Sequence, residues 1–116
     1  MSGDKLYSMD QLNLIGDGND EFITSILTTF LQSIPQNAAE LAAASGTQDW
    51  DKVYFLAHKM KPSIALLEIR SIHDEIIVVE QNARNKTELE SIPPLVTHIH
   101  EVINQTVVQI KEDFGL

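Results

Sequence analysis

The chain has 116 residues, 43% of them apolar, no cysteine and a net charge of −9. This length predicts one domain over residues 1–116 with a core of its own, and the lack of cysteine excludes disulfide scaffolds and thiolate metal sites. Eight basic against 17 acidic residues argue against partners such as nucleic acid or an anionic membrane surface.

No apolar run approaches the ~20 residues of a membrane span, and no signal sequence opens the chain. We therefore expect a protein of the cytoplasm. The acidity itself has two interpretations, which are simple solubility and a partner with a basic or mixed docking face. Net charge does not choose between them.

The first half of the chain contains residues that begin and end helices. The turn GDGND ends in Asn19 and Asp20, either of which can cap the helix that follows. Beyond the turn, apolar residues recur at the spacing of one helix face. That face comprises Phe22, Ile23, Ile26, Leu27, Phe30 and Ile34.

Further boundaries come from Pro35 and Gly46. We expect Pro35 to break or bend the first long helix, and the helix-forming segment after it to end at Gly46 as a C-cap. A third helical segment starts between Thr47 and Asp49 and runs to about Ile69.

The second half continues in the same way. Ser71, with Asp74 three residues on, is a weak capping signature for a helix that reaches about Arg84. Pro93 and Pro94 suit the first turn of a last helix that runs to the end. The predicted fold is therefore all-α, an up-down antiparallel four-helix bundle with one or two short extra N-terminal helices. On the helix from Ser71, one apolar face holds Ile72, Ile76, Val79 and Ala83.

The most informative stretch is AHKMKPSIALL, residues 57–67. An apolar stripe passes through it without losing phase at Pro62, which predicts one continuous helix. A proline inside a helix costs ~3 kcal/mol and leaves the carbonyl of the residue four back, here His58, without its backbone hydrogen bond. We therefore expect a kink beside His58. The alternative is a tolerated bend on a solvated face. The stripe consists of Val53, Leu56, Ala57, Met60, Ile64 and Leu67. Packing in the core is also the simplest role for Phe30 and Trp50.

His58 points away from this stripe. Its own face is markedly apolar for an exposed one, which suggests a docking surface. The alternative is that another helix covers this face and that His58 is a satisfied core histidine, although the opposite face already supplies a full core stripe. The residues predicted to dock a partner are Tyr54, Phe55, Pro62, Ala65, Leu66 and Ile69.

Two lysines lie close to His58 in sequence. Lys61 is one turn away on nearly the same side, where it can neutralise an anion that approaches the imidazole, whereas Lys59 points elsewhere and is interpreted as a solvated charge. Unperturbed imidazole titrates near pH ~6.5, so it is largely neutral in the cell and one ring nitrogen can act as a nucleophile.

These residues resemble the histidine-containing phosphotransfer (HPt) domain family, whose motif reads approximately A-H-x-L-K-G-S-x-x-x-L-G. The usual glycines four and ten residues after the histidine are Pro62 and Glu68 here. Upstream, Asp49-Trp50 is similar to the family's "GDW" step. The entry residues that resemble the family are Gly16, Asp20 and Phe22, and the motif matches are Ala57, His58, Met60, Lys61, Ser63 and Leu67.

The resemblance implies a mechanism. His58 would accept a phosphoryl group from the aspartyl phosphate of one receiver domain and pass it to a second, in response regulators or hybrid histidine kinases. Lys61 would offset the phosphate charge. The chain would act as a monomeric phosphocarrier and not an enzyme, without a cofactor, nucleotide site or metal site of its own.

Other functions of a helical bundle are less well supported. None of the four histidines lies three residues after a glutamate, as di-iron bundles require, and His98 and His100 diverge on one helix; these two and His73 are interpreted as flank or surface histidines. Two alternatives stay open. One is a module that binds a receiver without passing phosphate, and the other is a dimerising bundle that buries His58.

Overall fold

The structure, a computed structural model, describes residues 5–116 and contains five α-helices and no strand in that range. The all-α prediction is confirmed, with one short extra helix before the long ones. Residues 1–4 of the predicted domain lie outside the described part. The helices are α1 Asp10–Gly16, α2 Asp20–Gly46, α3 Trp50–Leu66, α4 Arg70–Asn85 and α5 Ile92–Phe114, and a 3₁₀ turn at Leu89–Ser91 precedes α5.

Helices α2 to α5 form a four-helix bundle in which each packs on the next and α5 returns to α2. Side-chain pairs give the direction of α3 and α4, because Asp51 meets Lys86 whereas His58 meets Glu80. The two helices are therefore antiparallel. Helix α1 packs against α2. Each helix in the described range, residues 5–116, is too short or too polar to be a membrane span.

We expected Pro35 to break or bend the first long helix; helix α2 runs without interruption through Pro35, so a break there is wrong. Its buried face keeps helical phase on both sides of the proline, and the burial of those side chains outweighs the ~3 kcal/mol that a mid-helix proline costs. Pro35 itself is only half-buried. The buried apolar residues of α2 are Leu27, Phe30, Ile34, Ala38, Leu41 and Ala44.

The ends of α2 differ in part from expectation. Asn19 caps the start as predicted, since its side chain accepts a hydrogen bond from the Phe22 backbone at 3.0 Å. Phe22 is 40% exposed, however, whereas Ile23 and Ile26 of the same predicted face are half-buried and pack against the core. At the other end Gly46 still belongs to the helix, and the left-handed residue of the connection is Gln48, with φ of 60°.

Helix α3 presents the histidine and begins where Asp49 accepts a hydrogen bond from the Lys52 backbone at 3.3 Å. It continues through Pro62 as one helix, as predicted. The predicted core stripe is confirmed, since all six of its residues are at most 2% exposed. Packing of that stripe fixes the rotation of α3 and leaves the opposite side, with His58, at the surface.

The end of α3 corrects three expectations. The helix stops at Leu66 and not near Ile69, because Glu68 takes the left-handed conformation with φ of 49°. Ile69 is then fully buried and precedes α4 as its N-cap. The predicted Ser71 cap is wrong, since α4 starts at Arg70 without a side-chain cap.

Helices α4 and α5 complete the core. The four residues predicted to share a face of α4 are all fully buried. Pro93 and Pro94 lie in the first turn of α5, as expected. Before α1, a short N-terminal segment crosses the end of the bundle, where Lys5 and Tyr7 both donate hydrogen bonds to Asp113 near the end of α5.

Candidate functional site

His58 lies on the outward side of α3, and 62% of its side chain is exposed. Its neighbours Ala57 and Met60 are fully buried, so the backbone around the imidazole is fixed by the core. Tyr54, one turn earlier, stacks on the ring with a centroid distance of 5.9 Å and an interplanar angle of 26°. The imidazole is thus accessible to solvent while the stacked ring of Tyr54 restricts its movement.

A carboxylate from the neighbouring helix holds the same ring. Oε2 of Glu80, on α4, lies 2.6 Å from Nδ1 of His58, and Oε1 of Glu80 accepts a hydrogen bond from Nζ of Lys61 at 2.7 Å. Only 10% of the Glu80 side chain is exposed, against 36% for Lys61. The three side chains form a cluster that joins α3 to α4, with the carboxylate on the inside and the imidazole on the outside.

Electrostatics define the state of this cluster. Burial favours a raised pKa for Glu80, but the hydrogen bonds from Lys61 and His58 outweigh it, and the pKa of this carboxyl lies below its ordinary value. Glu80 is therefore ionised at neutral pH and can only accept hydrogen bonds. It follows that Nδ1 of His58 carries the proton, and in the neutral ring the lone pair is on Nε2.

The predicted docking residues do not all lie at the surface. Phe55 is 60% exposed and Pro62 is also exposed, whereas Ala65 and Leu66 are half-buried. Ile69 is fully buried, so its assignment to a docking surface is wrong. The reason is local: once α3 ends at Leu66, the chain turns and Ile69 faces the core. Leu66 lines a hollow of about 240 Å³ between α2 and α3.

Glu80 is the site residue that sequence reasoning missed. A signal for it was present, because Glu80 lies four residues after Ile76 and three before Ala83, on the buried face of α4. A carboxylate at such a position needs a partner. What the sequence did not reveal was which side chain, 22 residues away, would supply it.

The other histidines are also at or near the surface. Nδ1 of His98 lies 2.6 Å from Oε1 of Glu75, a geometry that repeats the His58 arrangement between α5 and α4. Among residues 5–116 no lysine joins this second pair, and Glu75 is more exposed than Glu80, at 28%. His73 is 3.7 Å from Asp74. Within residues 5–116, no three metal-binding side chains cluster closely enough to hold an ion.

Comparison with known proteins decides the family. The model of the Hpt domain family matches residues 25–109, which include all of α3 and α4. The chain belongs to the Hpt domain family. Hpt domains carry phosphoryl groups on histidine in two-component signalling and interact with receiver domains. Searches of curated proteins and of solved structures each gave no significant match.

The two departures from the usual Hpt motif have different structural contexts. Pro62 lies one turn after His58 on the exposed side of α3, where it adds a compact apolar surface. Glu68 occupies a left-handed position, which is the conformation that glycine adopts without strain. Its carboxylate accepts a hydrogen bond from Arg70 at 3.2 Å. The structure therefore gives a backbone reason for a glycine at that point of the motif.

Proposed function

We propose that this Hpt domain is an intermediate of a multistep phosphorelay. His58 accepts the phosphoryl group of an aspartyl phosphate on one receiver domain and passes it to an aspartate on another. An N–P bond forms as the acyl phosphate O–P bond breaks, and the donor carboxylate is regenerated. The observation that carries the proposal is an exposed imidazole whose Nδ1 is engaged by a sheltered, ionised carboxylate.

The geometry favours Nε2 as the reacting nitrogen. Nδ1 is engaged by Glu80 at 2.6 Å, which leaves Nε2 as the lone-pair nitrogen of an exposed ring. As phosphorus bonds to Nε2, the ring gains positive charge, and the carboxylate beside Nδ1–H stabilises it. Glu80 acts through His58 and does not touch the phosphoryl group, so it is a positioning residue.

Lys61 has a role in the same step. The ammonium of Lys61 is held 2.7 Å from Glu80, on the side of α3 next to His58. A cation is therefore already in place near the ring before the phosphoryl group arrives. A phosphoryl group on His58 adds negative charge beside it. We assign Lys61 to the partial neutralisation of that charge, in competition with its bond to Glu80.

The surface around His58 fits a protein partner. Tyr54, Phe55, Pro62, Ala65 and Leu66 offer apolar area beside the imidazole, and Phe55 is the most exposed of the large ones. We assign this surface to receiver docking. In this scheme the chain is a monomeric carrier, and the receivers supply the metal ion and the acceptor carboxylates.

A phosphotransfer assay tests the proposal. The wild-type chain is mixed with a panel of receiver domains that have been phosphorylated on aspartate with labelled acetyl phosphate. We expect acid-labile, base-stable label on the chain, and none on His58→Gln. The matched control is His98→Gln, which removes an exposed histidine with the same carboxylate contact and leaves labelling intact.

Other outcomes separate the alternatives. Loss of label in His98→Gln but not in His58→Gln would place the acceptor elsewhere. Binding of a receiver without any transfer would indicate a docking module. A stable dimer in solution, with His58 protected from diethyl pyrocarbonate, would indicate the dimerising bundle.

A further inference from the structure

The outward surface of α3 carries free positive charge in a chain whose net charge is −9. Lys52 and Lys59 are both exposed, and neither side chain makes an ion pair within residues 5–116. The other charges of this helix are already satisfied. Lys61 is bound by Glu80, and Asp51 is bound by Lys86 at 2.7 Å. Two uncompensated cations therefore remain on the histidine-bearing helix.

These lysines alternate with exposed apolar side chains. Residues 52, 55, 59 and 62 are spaced by three and four, so they follow one line along α3. We call this line the basic stripe; it consists of Lys52, Phe55, Lys59 and Pro62. His58 lies beside the stripe, one turn after Phe55 and one turn before Pro62. The stripe is thus continuous with the surface around the phosphoryl-accepting ring.

The basic stripe can offset an electrostatic repulsion that the proposed function implies. The phosphoryl donor is an acyl phosphate on a carboxylate, which is anionic, and this chain is strongly anionic as well. Repulsion between this chain and the anionic acyl phosphate slows their encounter unless local charge of the opposite sign guides it. Lys52 and Lys59, both exposed on the face of α3 that adjoins the face of His58, supply that local charge.

We infer that the basic stripe binds carboxylates on the rim of the receiver's phosphorylation site and steers the receiver onto His58. This inference rests on the proposed function and names the surface chemistry of the partner, which is an acidic rim with an apolar contact for Phe55. A second copy of the chain fits less well, because a two-fold contact would bring the lysines of both stripes together. Two lysines are also few for nucleic acid.

Lys59 and Lys61 are close in sequence but have different roles in this inference. Lys61, held by Glu80, acts on the charge of the transferred group. Lys59, which has no ion pair within the described residues, acts on the approach of the partner. Loss of Lys59 therefore lowers the second-order rate constant of transfer and leaves the first-order rate at saturating receiver unchanged.

Rapid-quench phosphotransfer measures both quantities. The donor is the receiver of the panel that labels the wild-type chain fastest, used at about 20 mM and about 1 M salt. The variants are Lys59→Gln, the double variant Lys52→Gln with Lys59→Gln, and Lys111→Gln. Lys111, in the last turn of α5, is the matched control, because it is an exposed lysine without an ion pair within residues 5–116.

We expect the double variant to lower the second-order rate constant on the order of tenfold at low salt, and Lys59→Gln alone roughly threefold. The differences vanish at about 1 M salt, where the screening length is ~3 Å. The inference is overturned if Lys111→Gln causes the same loss, if the stripe variants cause none, or if the saturating rate falls in proportion.

The assay also distinguishes failure of this inference from failure of the proposed function. If no receiver labels the wild-type chain, the proposed relay fails, and association rates on a surface-coupled receiver decide the stripe alone. Slower association of the stripe variants, but not of Lys111→Gln, would keep the stripe as an acidic-partner surface. Equal association rates, or no binding to any receiver, would overturn both.

Discussion

Nδ1 of His58 lies 2.6 Å from Oε2 of Glu80, across the contact between α3 and α4. The relationship is asymmetric, because the imidazole is 62% exposed and the carboxylate 10%. The exposed partner is thus oriented by a side chain that the bundle itself holds in place. In a domain that presents its reactive group to other proteins, this arrangement keeps the ring accessible without leaving it free to rotate.

Replacement of Glu80 by glutamine tests the orientation of the ring. The amide keeps the size of the side chain but removes the charge that strengthens the bond to Nδ1. We expect the fold to be retained and the rate of label transfer to His58 to fall roughly tenfold, equivalent to ~1.4 kcal/mol in the barrier. Nitrogen NMR should show that Nδ1–H no longer dominates the neutral ring.

The matched control is Glu75→Gln, which alters the same contact at His98. It should change the tautomer of His98 and leave transfer untouched. A wild-type transfer rate in Glu80→Gln, together with an unchanged tautomer of His58, would remove Glu80 from the mechanism.

Lys61→Met tests how the cluster depends on pH. The pKa of Glu80 is depressed in the folded state, so its stabilising contribution is present above the unfolded value of ~4.3 and is lost as pH falls through the folded value. We expect the substitution to lower the free energy of unfolding by ~1 kcal/mol at pH 7, because it removes one charged hydrogen bond while His58 still contacts the carboxylate. The deficit should shrink towards pH 3.

Urea unfolding of both proteins from pH 3 to pH 8 measures this difference. Lys59→Met is the control, since that ammonium has no partner within residues 5–116, and it should leave stability unchanged at every pH. A deficit for Lys61→Met that stays constant down to pH 3 would show that lost packing of the lysine stem, and not the ion pair, is responsible.

Local sequence pattern is sufficient to place the cores of α3 and α4. The core stripe of α3 and the buried face of α4 follow from apolar spacing alone, because burial of a periodic face fixes how a helix rotates. The same principle explains why α2 passes through Pro35, where local propensity predicted a break or a bend. There the tertiary packing of a long apolar face outweighed one missing hydrogen bond.

Two features depended on information that spacing does not contain. Ile69 was assigned to the docking face by extending α3 at constant phase, but a left-handed residue at Glu68 ended the helix first. Glu80 joins His58 only after α4 has folded back on α3, so no local pattern in α3 indicates it. The helices and their cores were therefore predictable, whereas the partner of the reactive ring was not.

Substitution of Glu68 separates its backbone from its side chain. Both Glu68→Gly and Glu68→Ala remove the contact with Arg70, but only glycine is free of strain at φ of 49°. We therefore expect the glycine variant to melt about 2 to 6 °C above the alanine variant. Thermal unfolding followed by circular dichroism checks this. Equal melting temperatures would mean that the left-handed conformation imposes no cost at this position.

The N-terminal segment provides the last prediction. Asp113 accepts hydrogen bonds from Lys5 and Tyr7, and Ser8 donates its backbone N–H to Leu67 at 2.8 Å, so the segment ties α5 to the end of α3. The bonds from Lys5 and Tyr7 hold the pKa of Asp113 below its ordinary value. This attachment is therefore complete above the unfolded value of ~3.9 and weakens as pH falls through the folded one.

Asp113→Asn should release this segment while the bundle stays intact. The amide loses the charge that holds Lys5 and is a weaker acceptor for Tyr7, so hydrogen exchange at the Ser8 amide should accelerate at neutral pH while core amides of α3 keep their protection. Glu112→Gln, which removes an exposed acidic charge one residue away, is the control and should leave the Ser8 amide protected. Unchanged exchange at Ser8 in Asp113→Asn would mean that the remaining bonds, from Ser8 to Leu67 and from Leu6 to Gln109, hold the segment without Asp113. Loss of protection throughout α3 would mean that the segment is part of the cooperative core.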